Sequence, residues 1–418
     1  MAQQTIVFLG GSPDQSTSYI AAKKMGLYII GFDSNPEAFA FKYADESYPV
    51  SVHDHAAIQT ILAGRKIDAV YSQASDAGRL CEYELARAFS TPKPISMASV
   101  YASMDKGYFL DRLAEAGLPA HGHVKCAGAD NMRRAVKDWA FPFVVKPNDS
   151  SGSKGVLHVR NIEERDAAIQ DAAAISPTDT LICEQLVAGQ HYSVDSFIRD
   201  HRVEFMAVSQ KFMTAPPLMI PMHYVMPAMI PAHLHRRMQE YVEKLCATLE
   251  ISAGPITCDV VLSDAGDLHF IEMGARAGGN GLSLLLDRAY GVDYTASALA
   301  LHLGKNLPVL AKYGRHIALI AITAGQAGKL ASFSGLLALK EAGRIADFKL
   351  FFNIGQNVEP YTKAANAIGY CLLEGESAEG LAKIADRARG CIVVSVETSS
   401  GIIDVALEVP DLRAIGPL

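Results

Sequence analysis

Two acidic residues, Asp259 and Glu272, each lie inside a strongly apolar stretch, CDVVL and HFIEMG, and a short SDAGD turn joins the two stretches. A hairpin would set the two carboxylates side by side. That geometry suits magnesium, a hard cation that takes a few oxygen ligands and completes its shell with water and phosphate. Asp264 and Asp267, in the turn itself, read as turn residues. Arg276 follows Glu272 by four positions, with Gly278 and Gly279 just beyond. A guanidinium grips phosphate or carboxylate oxygens through two parallel hydrogen bonds, and glycines let an anion approach the backbone.

The segment DSSGSKGV (149–156) follows an apolar strand that ends at Lys146 and Pro147. Its glycines allow successive N–H groups to cradle phosphate oxygens, and Lys154 adds a compact positive charge. A Walker A loop is excluded, because GxxxxGK[ST] is absent and a strand follows. Alone, the loop reads as a mobile hairpin turn. Lys146 needs an anionic partner, since burying an unpaired ammonium is costly. Lys106, taken alone, reads as a solvated helix residue.

The elements that would position these groups fall into three regions. From residue 5 to about 95, strand and helix patterns alternate: TIVFLG (5–10), LYIIGFD (27–33) and AVYSQA (69–74) are the strands. Such alternation predicts a parallel sheet covered by helices. Gly10 and Gly11 follow the first strand, where a nucleotide phosphate can sit, but the GxGxxG spacing is missing and a tight turn suffices. A boundary near 97 is expected, followed by a helix holding Asp105 and Lys106. TLICEQLV (180–187) and YSVDSFIR (192–199) read as strands flanking a Gly-containing turn, as in a small antiparallel lid. Residues 206–231 hold six of the thirteen Met and five of the nineteen Pro. They read as a pocket-lining loop or as irregular core, with His223 a polar group inside such a pocket. Beyond about 312 a third region carries no catalytic cluster.

The bulk numbers exclude several classes. Length 418 allows two to four domains at roughly 150 residues each. A net charge of −7 with interleaved signs gives no nucleic-acid face. The start MAQQTIVFLGGS is not a signal peptide, and no apolar run is long enough for a membrane span. Seven scattered cysteines without a CxxC pair suit a reduced, cytoplasmic protein. HDH at 53–55 and His233/His235 lack metal-ligand context.

The order of motifs resembles the ATP-grasp superfamily: a Lys, a strand ending in Lys, a Gly-rich loop, an E-x-x-V hinge, then two strand carboxylates before Arg. Within it the chain looks most like the bacterial L-amino-acid (dipeptide) ligases, and more distantly like biotin carboxylase and formate-dependent phosphoribosylglycinamide formyltransferase. The resemblance implies an α/β ATP-grasp fold. A doubly wound parallel-sheet domain (1–97) would precede an ATP-grasp domain (98–311, with a lid at about 120–190), and an α+β cap (312–418) would follow.

It also implies site roles. Lys106, Lys146 and the loop Ser151, Gly152, Ser153, Lys154 and Gly155 would contact ATP phosphates. Glu184 and the backbone of Gln185, Leu186 and Val187 would read the adenine, and His191 would stand at the ribose. Asp259 and Glu272 would hold one or two magnesium ions, with manganese an alternative. Arg276, Gly278 and Gly279 would hold an acyl-phosphate, with His223 near the substrate. Asp259 stands where many members have Glu. Gly274 stands where biotin carboxylase and many ligases have an Asn that binds a second magnesium. The expected reaction joins a small-molecule carboxylate to an amine, and by analogy with related enzymes a homodimer is open. Rival readings are an ATP-grasp enzyme of nucleotide or one-carbon metabolism and a non-catalytic ATP-binding module.

Overall fold

The computed structural model describes residues 3–150, 152–216 and 218–412. Near the N-terminus, β1 (Thr5–Leu9), β2 (Tyr28–Phe32), β3 (Glu46–Tyr48) and β4 (Ala69–Tyr71) form a parallel sheet in the order β3-β2-β1-β4. Ile6 and Phe8 enter one core while Val7 and Leu9 enter another. Burial on both faces explains why β1 is a continuous apolar run and does not alternate. Strand order reverses between β1 and β4. The crevice beyond their carboxyl ends is where sheets of this kind receive ligands.

A second sheet is small and antiparallel. It holds β5 (His123–Ala127), β6 (Phe143–Pro147), β7 (Leu157–Val159) and β8 (Thr180–Gln185) in the order β5-β8-β6-β7. Two helices, Ala129–Ala135 and Ile162–Ile175, cover one face through Met132, Phe143, Val145 and Ile169. The longer helix starts at Asn161, whose Oδ1 accepts from the Glu164 N–H at 3.0 Å. The expected helix through Asp105 and Lys106 is instead two helices, Met97–Met104 and Lys106–Glu115. Asp105 separates them as the cap of the second, its Oδ1 accepting from Tyr108 N at 2.8 Å.

The large sheet takes strands from the middle and the end of the chain. From the middle come β9 (Gly189–Arg199), β10 (Arg202–Met213), β11 (Pro221–Met226), β12 (Ala253–Ser263) and β13 (Leu268–Gly274). The last third supplies β14 (His316–Ile322), β15 (Gly328–Ser334), β16 (Asp347–Leu350), β17 (Asn357–Val358), β18 (Gly369–Gly375), β19 (Val393–Thr398) and β20 (Gly401–Ala406). Eight strands pair in the order β13-β12-β9-β10-β11-β14-β18-β16, and β17-β15-β19-β20 form a separate sheet. The whole is a mixed α/β architecture, parallel at the N-terminus and antiparallel beyond.

Three expectations change. β8 and β9 do not share a sheet: β8 stays with β5 and β6, while β9 pairs with β10 and β12. The crossing requires Gly189, because a Cβ there would stand 2.0 Å from the Leu262 carbonyl oxygen. The Met/Pro-rich stretch is mostly strand, since β10 and β11 occupy much of it. The last third is also no detached cap, because β14 pairs with β11 and continues the large sheet. Among the described residues no helix is long and apolar enough to cross a membrane.

Candidate active site

β12 and β13 form the expected hairpin, with Asp259 directly opposite Glu272. Directly opposed residues share one face of the sheet, and a bulge decides which face these two take. On β13, Leu268 and Phe270 face the core shared with Cys258 and Val260. Strict alternation would send Glu272 the same way. The register shifts here, Val260 pairing with Phe270 where Asp259 pairs with Glu272. This bulge flips the parity, so Met273 and Ala275 return to the core. Glu272, Gly274 and Arg276 then line a cavity together with Thr257 and Asp259. Bulges next to active sites often re-aim a side chain in this way.

Cations surround the pair. Lys211, on β10, reaches Asp259 Oδ2 at 2.5 Å. Burial pushes Glu272 up, but Lys106, Lys146, Lys211 and Arg276 outweigh it and hold the carboxyl below its ordinary value. Burial raises Asp259, with Lys211 opposing and the Glu272 charge adding to the rise. Lys106 opens its helix beside the strand end: Gly107 N donates to Asn148 Oδ1 at 3.0 Å and Lys106 Nζ to the Ser150 carbonyl. Burial lowers the Lys106 ammonium, while Glu272 offsets part of that. Among the described residues no third His, Cys, Asp or Glu joins the two carboxylates as a cluster. A cation there would complete its shell from phosphate and water, as magnesium commonly does.

The loop after β6 lies against the same cavity, which Gly152, Ser153 and Lys154 line. Gly152, Ser153 and Gly155 all have positive φ, +68°, +60° and +73°. Successive left-handed residues curl the backbone into a tight turn, which explains the two glycines. Ser151 lies outside the described residues.

Arg276 is not free. Its Nε and Nη2 donate to both oxygens of Asp76 at 2.8 and 2.7 Å, and Nη1 donates to the Ala277 carbonyl. Asp76 belongs to the loop after β4, so the N-terminal sheet fixes the guanidinium from 200 residues away. A Cβ on Gly274 would sit 2.9 Å from the guanidinium carbon and 3.1 Å from Asp76 Oδ1. Glycine at 274 therefore makes room for this pair. Asp14, after β1, accepts from the Asn280 and Gly281 N–H groups, both at 2.9 Å. The crevice between β1 and β4 thus clamps the 276–281 turn through two carboxylates. Gly279 lines the large cavity, whereas Gly278 packs inward, where a Cβ would stand 2.7 Å from Asp195 Oδ1.

Other expected residues lie apart from that cavity wall. Lys146 and Glu184 are buried together at 2.8 Å, and His121 Nε2 reaches the other Glu184 oxygen at 3.0 Å. Burial opposes the Glu184 charge, but Lys146 and His121 prevail and hold it near about 2. Its side chain is therefore committed inside the fold, and the Gln185 N–H donates to the Gly122 carbonyl at 2.8 Å. His191 pairs across β9 with Lys211, and burial followed by that ammonium depresses its imidazole to about 4. His223 is a correction. Tyr224 lines the cavity, and strand alternation turns His223 to the opposite face, where its Nδ1 accepts from Ala321 N. Five of the seven cysteines are buried, Cys126 is partly buried and Cys391 exposed, and all seven are free.

Sequence reasoning missed Lys211, Asp76 and Asp14. Lys211 carried a signal, a lone ammonium within an apolar strand, as at Lys146. Asp76 and Asp14 carried none, since each meets its partner only through the tertiary fold.

A strand-paired carboxylate couple, a glycine-bearing turn and a clamped arginine thus line one cavity. Residues 139–283 match the ATP-grasp domain, and residues 320–397 match the L-amino acid ligase C-terminal domain 2. The chain thus carries an ATP-grasp domain and an L-amino acid ligase C-terminal domain, and the related ATP-grasp ligases are ADP-forming carbon–nitrogen ligases. It is 22% identical over 96% of its length to the uncharacterized protein y4rH of Sinorhizobium fredii, covering 85% of that protein. It is 26% identical to a formate-dependent phosphoribosylglycinamide formyltransferase of Chlorobium phaeobacteroides, over 80% of this chain and 85% of the relative. The solved L-amino acid ligase of Bacillus licheniformis superposes with a TM-score of 0.82 at 17% identity, over 95% of this chain and all of that one.

Proposed function

We propose that this chain is an ATP- and magnesium-dependent carboxylate–amine ligase that acts on amino-acid-like substrates through an acyl-phosphate. The observation that carries the reading is the shared wall: Asp259, Glu272, Arg276 and the Gly152–Lys154 turn all face one cavity. At about 1760 Å³ it exceeds the roughly 300–1,000 Å³ of a single-ligand pocket. It has room for a nucleotide tail and two small substrates.

In this reading Asp259 and Glu272 would hold magnesium, which would supply positive charge against the phosphate oxygens of ATP. Phosphoryl transfer relies mainly on positioning and charge neutralisation. Lys106, Lys154 and the loop N–H groups of 152–155 hold the terminal phosphates. The backbone of 185–187 takes the adenine edge, with Lys146 and His191 beneath the nucleoside, and Glu184 serves to fix Lys146. A substrate carboxylate oxygen attacks the γ-phosphorus as the bond to ADP breaks. Arg276, kept in place by Asp76, steadies the acyl-phosphate together with the Gly279 backbone. The amine nitrogen then attacks the carbonyl carbon, a C–N bond forms, the C–O bond to phosphate breaks, and the amine proton leaves with phosphate. The small sheet excludes water that would hydrolyse the intermediate. Orientation of the partners contributes on the order of 7–11 kcal/mol.

A screen of ADP release over pairs of L-amino acids, with product masses read in parallel, tests this reading. Support is ADP release accompanied by a condensed amide product. Release with formate or bicarbonate and no amino acid would transfer the chain to the one-carbon reading that the formyltransferase relatives favour.

A further inference from the structure

The far side of the same cavity has a different chemistry. Phe39 and Phe41 line it from the short helical turn after β2, and Phe351 and Phe352 line it from the segment after β16. Phe333 and Ile354 join them. All five phenylalanines are only half-buried and Ile354 is 66% exposed; the Lys42 ammonium lies 3.7 Å over the Phe39 ring, so the apolar surface left to the cavity is that of Phe41, Phe333, Phe351, Phe352 and Ile354. Such a surface costs the free protein hydrophobic stabilisation and marks a binding site.

The wall is also braced. Phe39 and Phe351 meet edge to face at 6.2 Å, and Phe351 meets Tyr370 the same way at 5.1 Å. The Lys349 ammonium lies between Phe39 and Phe351, 5.6 and 5.7 Å from the ring centres, and donates to Ser16 Oγ at 2.8 Å. These contacts hold the rings upright where collapse onto one another would bury them.

We propose that this aromatic wall is the side-chain subsite for one of the two substrates, an L-amino acid with an aromatic or large aliphatic side chain. The wall is continuous with the end of the cavity that carries Lys211, Arg276 and the Gly279 turn. The amino acid's charged head lies toward that end and its side chain against the rings. Adenine does not compete for the subsite, because the connection at 185–187 assigned to the base is absent from this cavity wall. Small side chains would leave the rings wet, and an acidic one would have to draw Lys42 or Lys349 off the rings they cover. The inference rests on the ligase reading above and deepens it.

The test compares L-phenylalanine, L-leucine, L-alanine and L-glutamate, each with a fixed second amino acid, by kcat/KM for ADP release. L-Phenylalanine and L-leucine should exceed L-alanine and L-glutamate by about tenfold or more, the scale on which apolar pockets discriminate. Phe351→Ala and the exposed Ile354→Ala should each raise KM for L-phenylalanine several-fold, with KM for ATP unchanged within twofold. Equal use of L-alanine or L-glutamate, or a rise in KM for ATP in place of L-phenylalanine, would overturn the proposal. Calorimetric titration of L-phenylalanine and L-glutamate into the wild-type protein with ADP separates the two readings. Selective L-phenylalanine binding without turnover keeps the subsite and sinks the ligase. No selective binding sinks the subsite even if ligation of other amino acids is found.

Discussion

The two ends of the cavity are built on opposite plans. The end proposed for the phosphates draws on short local motifs carried by strands: the turn that follows β6, with Gly152, Ser153 and Lys154 on the wall, and the Asp259–Glu272 hairpin. The aromatic end is assembled from segments that lie about 300 residues apart in the chain, Phe39 on one side and Phe351 on the other. In the proposed reading, chemistry shared with other ATP-using enzymes is held in local pattern. Selectivity is held in long-range packing, where a loop can change without disturbing the charges.

Variants can break this contrast. Glu272→Gln should cause the largest loss, on the order of 10³-fold or more in ADP release, because Asp259 alone would hold magnesium weakly and leave the triphosphate charge uncompensated. Circular dichroism and melting should stay close to wild type, since Glu272 faces the cavity and not the core. Near-normal turnover would remove Glu272 from the site.

Asp76→Asn should follow, with kcat about 10²-fold lower and KM for ATP nearly unchanged, the expected result of misplacing a group near the reacting centre. Asp76→Glu, which retains the charge, should recover part of the rate. A purely structural role for Asp76 would instead lower the melting temperature of Asp76→Asn without splitting kcat from KM. Lys154→Ala, on the exposed loop, should raise KM for ATP about tenfold, the loss of one charge-assisted contact, with little effect on stability.

The smallest effect concerns pH. Burial raises the Asp195 carboxyl to about 6, against hydrogen bonds from Thr257 and Ser193. The unfolded chain loses that proton near pH 4, so the stability from the protonated form is complete below about pH 4. It is lost as pH climbs toward about 6. Asp195→Asn should flatten this part of the profile, so that wild type loses melting temperature relative to the variant between pH 4.5 and 6.5. Parallel profiles would show that Asp195 does not titrate there.

Much of the phosphate end was legible from residue types. An acid or ammonium inside an apolar strand is costly without a partner, and that rule picked out Lys146, Asp259 and Glu272. What the rule could not supply was direction. The bulge at Glu272 reverses its facing, and no residue in HFIEMG announces it. His223 failed for the same reason, since its neighbour Tyr224 took the cavity face. The parallel sheet from 5 to 71 was legible because its strands are apolar on both faces. The partition of β8 and β9 between two sheets was not, because either strand could have paired with the other. Asp76 and Asp14 lay beyond sequence reasoning, as short polar turn residues whose partners are set only by how the N-terminal sheet meets the 276–281 turn.

The most direct measurement is a crystal structure with magnesium and a non-hydrolysable ATP analogue. The account predicts a cation about 2.0–2.1 Å from carboxylate oxygens of both Asp259 and Glu272, with the 152–155 turn over the terminal phosphates. A nucleotide bound away from this hairpin, or a cation that touches neither carboxylate, would contradict it.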